Sequence, residues 1–151
     1  MLKTIKVSIF CLGIVLFFTT CKKTDPDDGW ESCLDCNITS WIGTYTGTAE
    51  YKDFVAGNTT TGLPITIVVS EVGDNYLQVY IHIPNYYSAT LSGNFVGTYS
   101  ISFAGSSYSF SGTMQVKDNT LRLIGDSKYY VEKVNELVIE EAVLYETLKQ
   151  I

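Results

Sequence analysis

The chain has 151 residues and a formal net charge of −6 at pH 7, from ten basic and sixteen acidic side chains. Nucleic acids and anionic lipids are bound by clusters of lysine and arginine, and the sequence has no basic stripe of that kind. It also has no phosphate-binding glycine loop, nucleophile elbow or metalloprotease motif. We therefore expect no enzymatic activity, no cofactor, no metal and no nucleic-acid partner.

The first twenty residues have the layout of a secretory signal. Lys3 and Lys6 give a positive start, and a mainly apolar run extends from Val7 to Phe18. This run is shorter than the roughly 20 apolar residues that a membrane-spanning helix needs. We therefore expect residues 1–20 to be a signal helix that is removed on export.

The end of this segment, Phe18-Thr19-Thr20-Cys21, resembles the lipobox of bacterial lipoproteins. The resemblance implies that Cys21 takes a diacylglyceryl group and becomes the new N-terminus, so that palmitate-like acyl chains anchor the protein. Two or more acyl chains give stable membrane attachment. The alternative is an ordinary secreted protein that is cut nearby and keeps Cys21 as a thiol.

Residues 21–37 are predicted to be a flexible tether, because residues 22–29 are charged and contain proline and glycine. Acidic residues close behind the lipidated cysteine resemble a surface-export signal of Bacteroidota-type lipoproteins. The implied location is the outer membrane of a bacterial cell envelope, with the periplasmic and surface faces both open.

Cys33 and Cys36 are the two cysteines that follow Cys21. A redox-active pair would normally open a helix in a βαβ unit, and a zinc site needs about four ligands. Neither condition is met in a polar tether, and an oxidising compartment favours cystine. The favoured interpretation is a small structural disulfide.

Residues 38–151 show the two-residue alternation of half-buried strands, separated by turn signals. The predicted strands are 44–51, 63–72, 76–83, 88–103 (as two strands or one coiled strand), 107–116 and 120–124, and residues 53–62 are predicted to be a long loop. This rhythm predicts an all-β, antiparallel, up-and-down meander of about eight strands that closes as a small barrel, with a β-sandwich as the alternative. His82 alternates with Gln78 and Tyr80 and is expected to face solvent.

The last stretch, Val131 to Leu148, fits either a helix or a strand. Its apolar residues follow a helical stripe, and its glutamate, lysine and leucine favour helix. Its β-prone segments favour a closing strand that covers the free edge of the sheet, with Glu140 and Glu141 at a bulge. The strand is the favoured interpretation.

The segment Trp41-Ile42-Gly43-Thr44-Tyr45 looks like the opening of lipocalin-like small β-barrels. In that family a tryptophan near the first strand plugs the closed end of the barrel. The resemblance implies a domain that binds a ligand, and it transfers no ligand-binding residue to this chain.

Tyrosine is abundant, with eleven residues. Tyr86, Tyr87, Tyr129 and Tyr130 are the candidate ligand-binding residues, since tyrosine combines a large rigid contact area with a polar tip. Cross-strand packing within the sheet is the competing explanation. The predicted function is a non-catalytic binding module for a small apolar or glycan ligand. The alternative is an accessory envelope lipoprotein that contacts other proteins and binds no small ligand.

The Cys21→Ala variant tests the anchor. We expect it to be released as a soluble protein or to remain unprocessed, because it lacks the sulfur that carries the lipid. Membrane fractionation together with the mass of the N-terminal peptide measures this. Mature Cys21→Ala protein that still fractionates with membranes would contradict the lipoprotein assignment.

Overall fold

The computed structural model describes residues 29–134 and 136–150. The predicted signal peptide and the predicted lipidation site, Cys21, lie outside the described residues. The described part is all-β, with nine strands in one antiparallel sheet and one helix of four residues. Within it, no helix is long and apolar enough to cross a membrane.

The elements follow in chain order. They are β1 (Glu31–Ser32), α1 (Ile38–Trp41), β2 (Gly43–Asp53), β3 (Asn58–Gly73), β4 (Tyr76–Ile83), β5 (Tyr87–Asn94), β6 (Ser100–Ala104), β7 (Tyr108–Lys117), β8 (Thr120–Lys133) and β9 (Glu136–Gln150).

The sheet is a meander whose last strand returns to its first long strand. Strands β2 to β5 pair in sequence, as do β6 to β9, and β9 pairs with β2. No ladder joins β5 to β6 in the described residues, so the sheet is open there. Phe103 of β6 nevertheless lies against Gly93 of β5, where an added Cβ would overlap its ring. The antiparallel meander is thus confirmed, whereas closure into a barrel is not.

The alternation in the sequence predicted the inward faces correctly. For the strands 63–72 and 76–83 the alternation of apolar side chains predicts one inward face, and the residues of that face are at most 2 % exposed: Ile65, Ile67, Val69, Leu77, Val79, Ile81 and Ile83. The region 88–103 forms two strands, which is one of the two arrangements that the sequence predicts. The predicted long loop at 53–62 is wrong, because β3 begins at Asn58 and pairs with the end of β2.

The C-terminal stretch is strand, as favoured, and not helix. It forms most of β9 and pairs with both β8 and β2. The register shifts between Tyr129 and Tyr130, which pair with Glu141 and Ile139, so Glu140 is the extra residue of a bulge. The predicted bulge is therefore confirmed.

The folded region begins earlier than the predicted boundary near residue 38. Strand β1 pairs with the end of β7, and the Cys33 amide donates to the Met114 carbonyl at 3.1 Å. Cys33 and Cys36 form a disulfide with Cα atoms 5.3 Å apart, and both side chains belong to the hydrophobic core. Residues 31–36 are thus part of the domain, because backbone pairing and apolar burial hold them on the sheet.

Trp41 fills one end of the sheet. Asn37 caps α1 by accepting a hydrogen bond from the Ser40 amide, which fixes the turn that carries Trp41. The indole is fully buried, and its Nε1 donates to the Thr98 carbonyl at 2.8 Å. Its ring meets Phe95 edge to face, with centroids 6.3 Å apart. One side chain therefore ties α1 to the loop between β5 and β6.

All nine strands and the buried apolar core lie between Glu31 and Gln150. This part of the chain therefore contains the strand pairing and the hydrophobic core that the structure describes. The solution experiments below use residues 22–151 as a soluble form, and circular dichroism with a cooperative melt establishes that each variant is folded.

The Trp41→Phe variant tests the contribution of the buried Trp41 side chain to stability. It loses the hydrogen bond to Thr98 and leaves space in the core, so we expect the free energy of unfolding to fall by about 2 kcal/mol. Val96→Ala, an exposed site in the same loop, should change it by less than about 0.5 kcal/mol. Urea denaturation measures both. Equal stabilities of Trp41→Phe and wild type would contradict the role of Trp41.

Candidate functional site

The interior of the sheet is filled by its own side chains. The largest of them are less than 2 % exposed: Trp41, Tyr45, Phe110, Ile67, Leu77, Ile81, Ile83, Met114, Leu123, Val69, Val79 and Val143. A lipocalin-like ligand cavity in the interior of the sheet would require the space that these side chains fill to be empty. The candidate site is therefore sought at the ends of the sheet.

Five tyrosines gather at the end opposite Trp41. We call this the tyrosine end, and it comprises Tyr51, Tyr86, Tyr87, Tyr108 and Tyr129. The sheet register explains the grouping, since Asp53, Glu141, Tyr129 and Tyr108 stand side by side on β2, β9, β8 and β7. Tyr51, two residues before Asp53, packs against the core.

The tyrosine rings contact one another. Tyr51 meets Tyr86 edge to face with ring centroids 5.5 Å apart, and Tyr108 lies 6.1 Å from Tyr87 and 5.0 Å from Tyr129. The Tyr87 hydroxyl shares a hydrogen bond with Ser127 at 2.9 Å. These contacts hold the ring positions, so the surface they form is preorganised.

Burial and the carboxylates of Glu141 and Asp53 set the electrostatics of this end. Burial raises the pKa of Tyr51 to about 12, and the charges of Glu141 and Asp53 act in the same direction. Burial also raises the pKa of Glu141, although a hydrogen bond from Tyr51 opposes it. Burial likewise raises the pKa of Tyr87 and Tyr108. The hydroxyls of Tyr51, Tyr87 and Tyr108 are therefore neutral hydrogen-bonding groups close to the partly buried carboxyl of Glu141.

A shallow groove of about 280 Å³ lies beside this cluster, on the hairpin between β4 and β5. The residues that line it are His82, Ile83, Asn85, Tyr86, Tyr87 and Ser88. The His82 ring stacks on Tyr80, and its Nδ1 is buried without a hydrogen-bond partner. The groove combines an exposed ring with amide, hydroxyl and imidazole groups.

The structure brings three of the four predicted ligand-binding residues together. Tyr86 is at the rim, and Tyr87 and Tyr129 face inward within the cluster. Tyr130 follows the bulge, and its hydroxyl shares a hydrogen bond with Ser109 at 3.2 Å. His82 alternates with the buried Ile81 and Ile83 and so lies on the outer face of β4 as expected, where it is half-buried and lines the groove.

Sequence reasoning missed Tyr51 and Glu141 as parts of this site. The alternation of β2 gives Tyr51 the same side as Tyr45 and Ala49, which was the available signal. The nearness of Glu141 follows from the pairing of β2 with β9, which joins residues about ninety positions apart in the chain and has no local sequence signal. Among the described residues, no group of three or more His, Cys, Asp or Glu side chains is placed to hold a metal ion.

Comparison with known proteins gives no relative. No protein-family model matches the chain, and neither the curated proteins nor the solved structures contain a match. The functional argument therefore rests on the residues of this chain.

The Glu141→Gln variant tests the electrostatics of the tyrosine end. Because the pKa of Glu141 is raised in the folded state, its contribution to stability is full below the unfolded pKa of about 4.3 and is lost as the pH rises through the folded pKa. We therefore expect Glu141→Gln to gain stability relative to wild type between about pH 4 and pH 7. Urea denaturation at several pH values measures the difference.

Tyr51→Phe provides the matched comparison. It removes the hydrogen bond that lowers the pKa of Glu141, so the loss of stability should begin at the same pH, extend to higher pH and be larger than in wild type. A stability difference between wild type and Glu141→Gln that does not change with pH would contradict this description.

Proposed function

We propose that the protein is a Bacteroidota-type envelope lipoprotein with a lipocalin-like β domain that acts as a non-catalytic binding module. In this proposal Cys21 carries the acyl chains that hold the domain at the outer membrane, and the domain binds a small glycan at the tyrosine end. The sequence pattern around Cys21 supports the anchor. The insertion of Trp41 beside the first long strand supports the kinship with lipocalin-like domains.

The observation that carries the binding proposal is the groove beside Tyr86. Sugars expose apolar C–H faces together with hydroxyl groups, so they are bound by an exposed ring flanked by hydrogen-bonding side chains. Tyr86 supplies the ring, and Asn85 and Ser88 supply an amide and a hydroxyl next to it. The edge-to-face contact with Tyr51 holds the Tyr86 ring in place.

The packed interior favours a glycan over an apolar ligand at this end. An apolar ligand gains affinity by enclosure in a dry cavity, and sites of this kind bury most of the ligand surface. The groove is shallow, and the volume behind it is occupied by Tyr87 and its neighbours. A surface of this form suits a ligand that stays partly in water.

The Tyr86→Ala variant tests the proposal. We expect soluble wild-type domain to retain oligosaccharides on an immobilised array, and Tyr86→Ala to bind them about tenfold more weakly, as for a central aromatic contact. Tyr99→Ala is the matched control, because Tyr99 is 41 % exposed and Tyr86 43 %, and Tyr99 lies at the opposite end. Titration calorimetry with the retained oligosaccharide gives the affinities.

Two results would contradict glycan binding at this site. One is an array that retains no wild-type protein. The other is an equal loss of affinity in the Tyr86→Ala and Tyr99→Ala variants.

A protein partner is the second candidate function, and the hairpin tips favour it. Val134, at the tip between β8 and β9, is exposed and has a φ of +47°, which is a strained conformation for a β-branched residue. Leu137 and Phe54 are exposed at the same end. A photo-crosslinking residue at position 137 would capture an envelope protein if this surface is an interface. Absence of any crosslinked protein would leave the glycan proposal as the sole candidate.

A further inference from the structure

A second concave surface lies at the end of the sheet opposite the tyrosine end. It is a groove of about 820 Å³, which we call the basal groove, between the disulfide loop and the ends of β7, β8 and β9. Its apolar wall comprises the Cys33–Cys36 disulfide, Leu34, Ile42, Val116 and Leu121. Its volume lies within the range of small-molecule sites, about 300–1,000 Å³. It is also about three times as large as the groove beside Tyr86.

Lys149 places a positive charge at this apolar wall. Its Nζ donates to the carbonyl oxygens of Ser40 and Ile42 at 2.6 and 2.7 Å, and it lies 5.1 Å from the centre of the Tyr45 ring. These partners are neutral, and no carboxylate of the described residues forms a salt bridge with Lys149. Burial lowers the pKa of this ammonium, as expected for a cation without an anion beside it.

One N–H group of the Lys149 ammonium remains available as a hydrogen-bond donor. The ammonium carries three N–H groups, and two of them bind the carbonyls at the end of α1. The third can bind an anion that enters the groove. An anion held there would also supply the countercharge that the partly buried cation lacks, which makes the contact stronger than one on an exposed lysine.

The acidic side chains of the groove limit how much negative charge a ligand can carry. Glu31 and Asp35 line it, are exposed to solvent and lie outside salt-bridge distance of Lys149. Their repulsion is partly screened by salt, yet it grows with the charge of the ligand. One carboxylate is therefore a better match than a doubly charged phosphate.

We propose that the basal groove binds a long-chain fatty acid, with its hydrocarbon chain along the apolar wall and its carboxylate on Lys149. The apolar wall recognises the chain, since each buried methylene contributes to affinity. The unpaired ammonium recognises the head group. This site goes beyond the glycan site and does not depend on it, because the two lie at opposite ends of the sheet.

The test uses cis-parinaric acid, a naturally fluorescent long-chain fatty acid, and its uncharged methyl ester with the soluble domain. We expect the acid to bind about tenfold more tightly than the ester, as for one charge-assisted hydrogen bond. Lys149→Arg should keep this preference, and Lys149→Gln should lower the affinity for the acid to that for the ester. The fluorescence enhancement of the probe measures each affinity.

Leu34→Glu tests the apolar wall without disturbing the core, because Leu34 is 66 % exposed. It should weaken the binding of acid and ester alike. Val55→Glu is the matched control: Val55 is 70 % exposed in the turn after β2, and the variant makes the same charge change at the tyrosine end. It should leave both affinities unchanged, as should Tyr86→Ala.

Three results would overturn the proposal. They are no fluorescence enhancement with wild type, equal affinities for acid and ester, and equal effects of Leu34→Glu and Val55→Glu. Loss of glycan binding in Tyr86→Ala with fatty-acid binding intact would support two separate sites.

Discussion

The pairing of β2 with β9 is the constraint on which the rest of the domain depends, because it joins the first and last long strands. The ladder runs from the Thr46–Leu148 pair to the Asp53–Glu141 pair. The backbones approach so closely that a Cβ on Gly47 would overlap the Glu146 carbonyl, which explains glycine at that position. The same pairing sets Glu141 beside the tyrosines and brings the end of β9 to α1.

The two ends of the sheet have different chemistry because different parts of the chain close them. At one end Trp41 and the disulfide loop cover the core, and the gap beside them forms the basal groove with its ammonium. At the other end no such segment of the described residues covers the strands, and tyrosine rings pack against the core beside the partly buried carboxyl of Glu141. The filled interior between them separates a surface suited to sugars from one suited to an acyl chain.

The sequence predicted the local features well and the non-local ones poorly. The two-residue alternation of apolar side chains predicted the inward faces of β3 and β4, because successive side chains of a strand point to opposite faces of the sheet. Residues 58–62 have the composition of a loop but lie in a strand because β2 offers them a partner. The opening between β5 and β6 and the position of Glu141 depend on pairing between distant segments. Local patterns therefore found Tyr86, Tyr87 and Tyr129 but neither their carboxyl neighbour nor the basal groove.

Binding of ligands at the two ends of a filled sheet can be mapped by amide chemical-shift changes in the soluble domain, with an oligosaccharide and with a long-chain fatty acid in separate titrations. We expect two separate groups of shifted amides, around Tyr86 for the sugar and around Leu34 for the fatty acid. The chemical shifts of amides at the strand centres, such as those of Val79 and Met114, should not change. Shifts that converge on those strand centres in either titration would show a ligand cavity inside the sheet and contradict the claim.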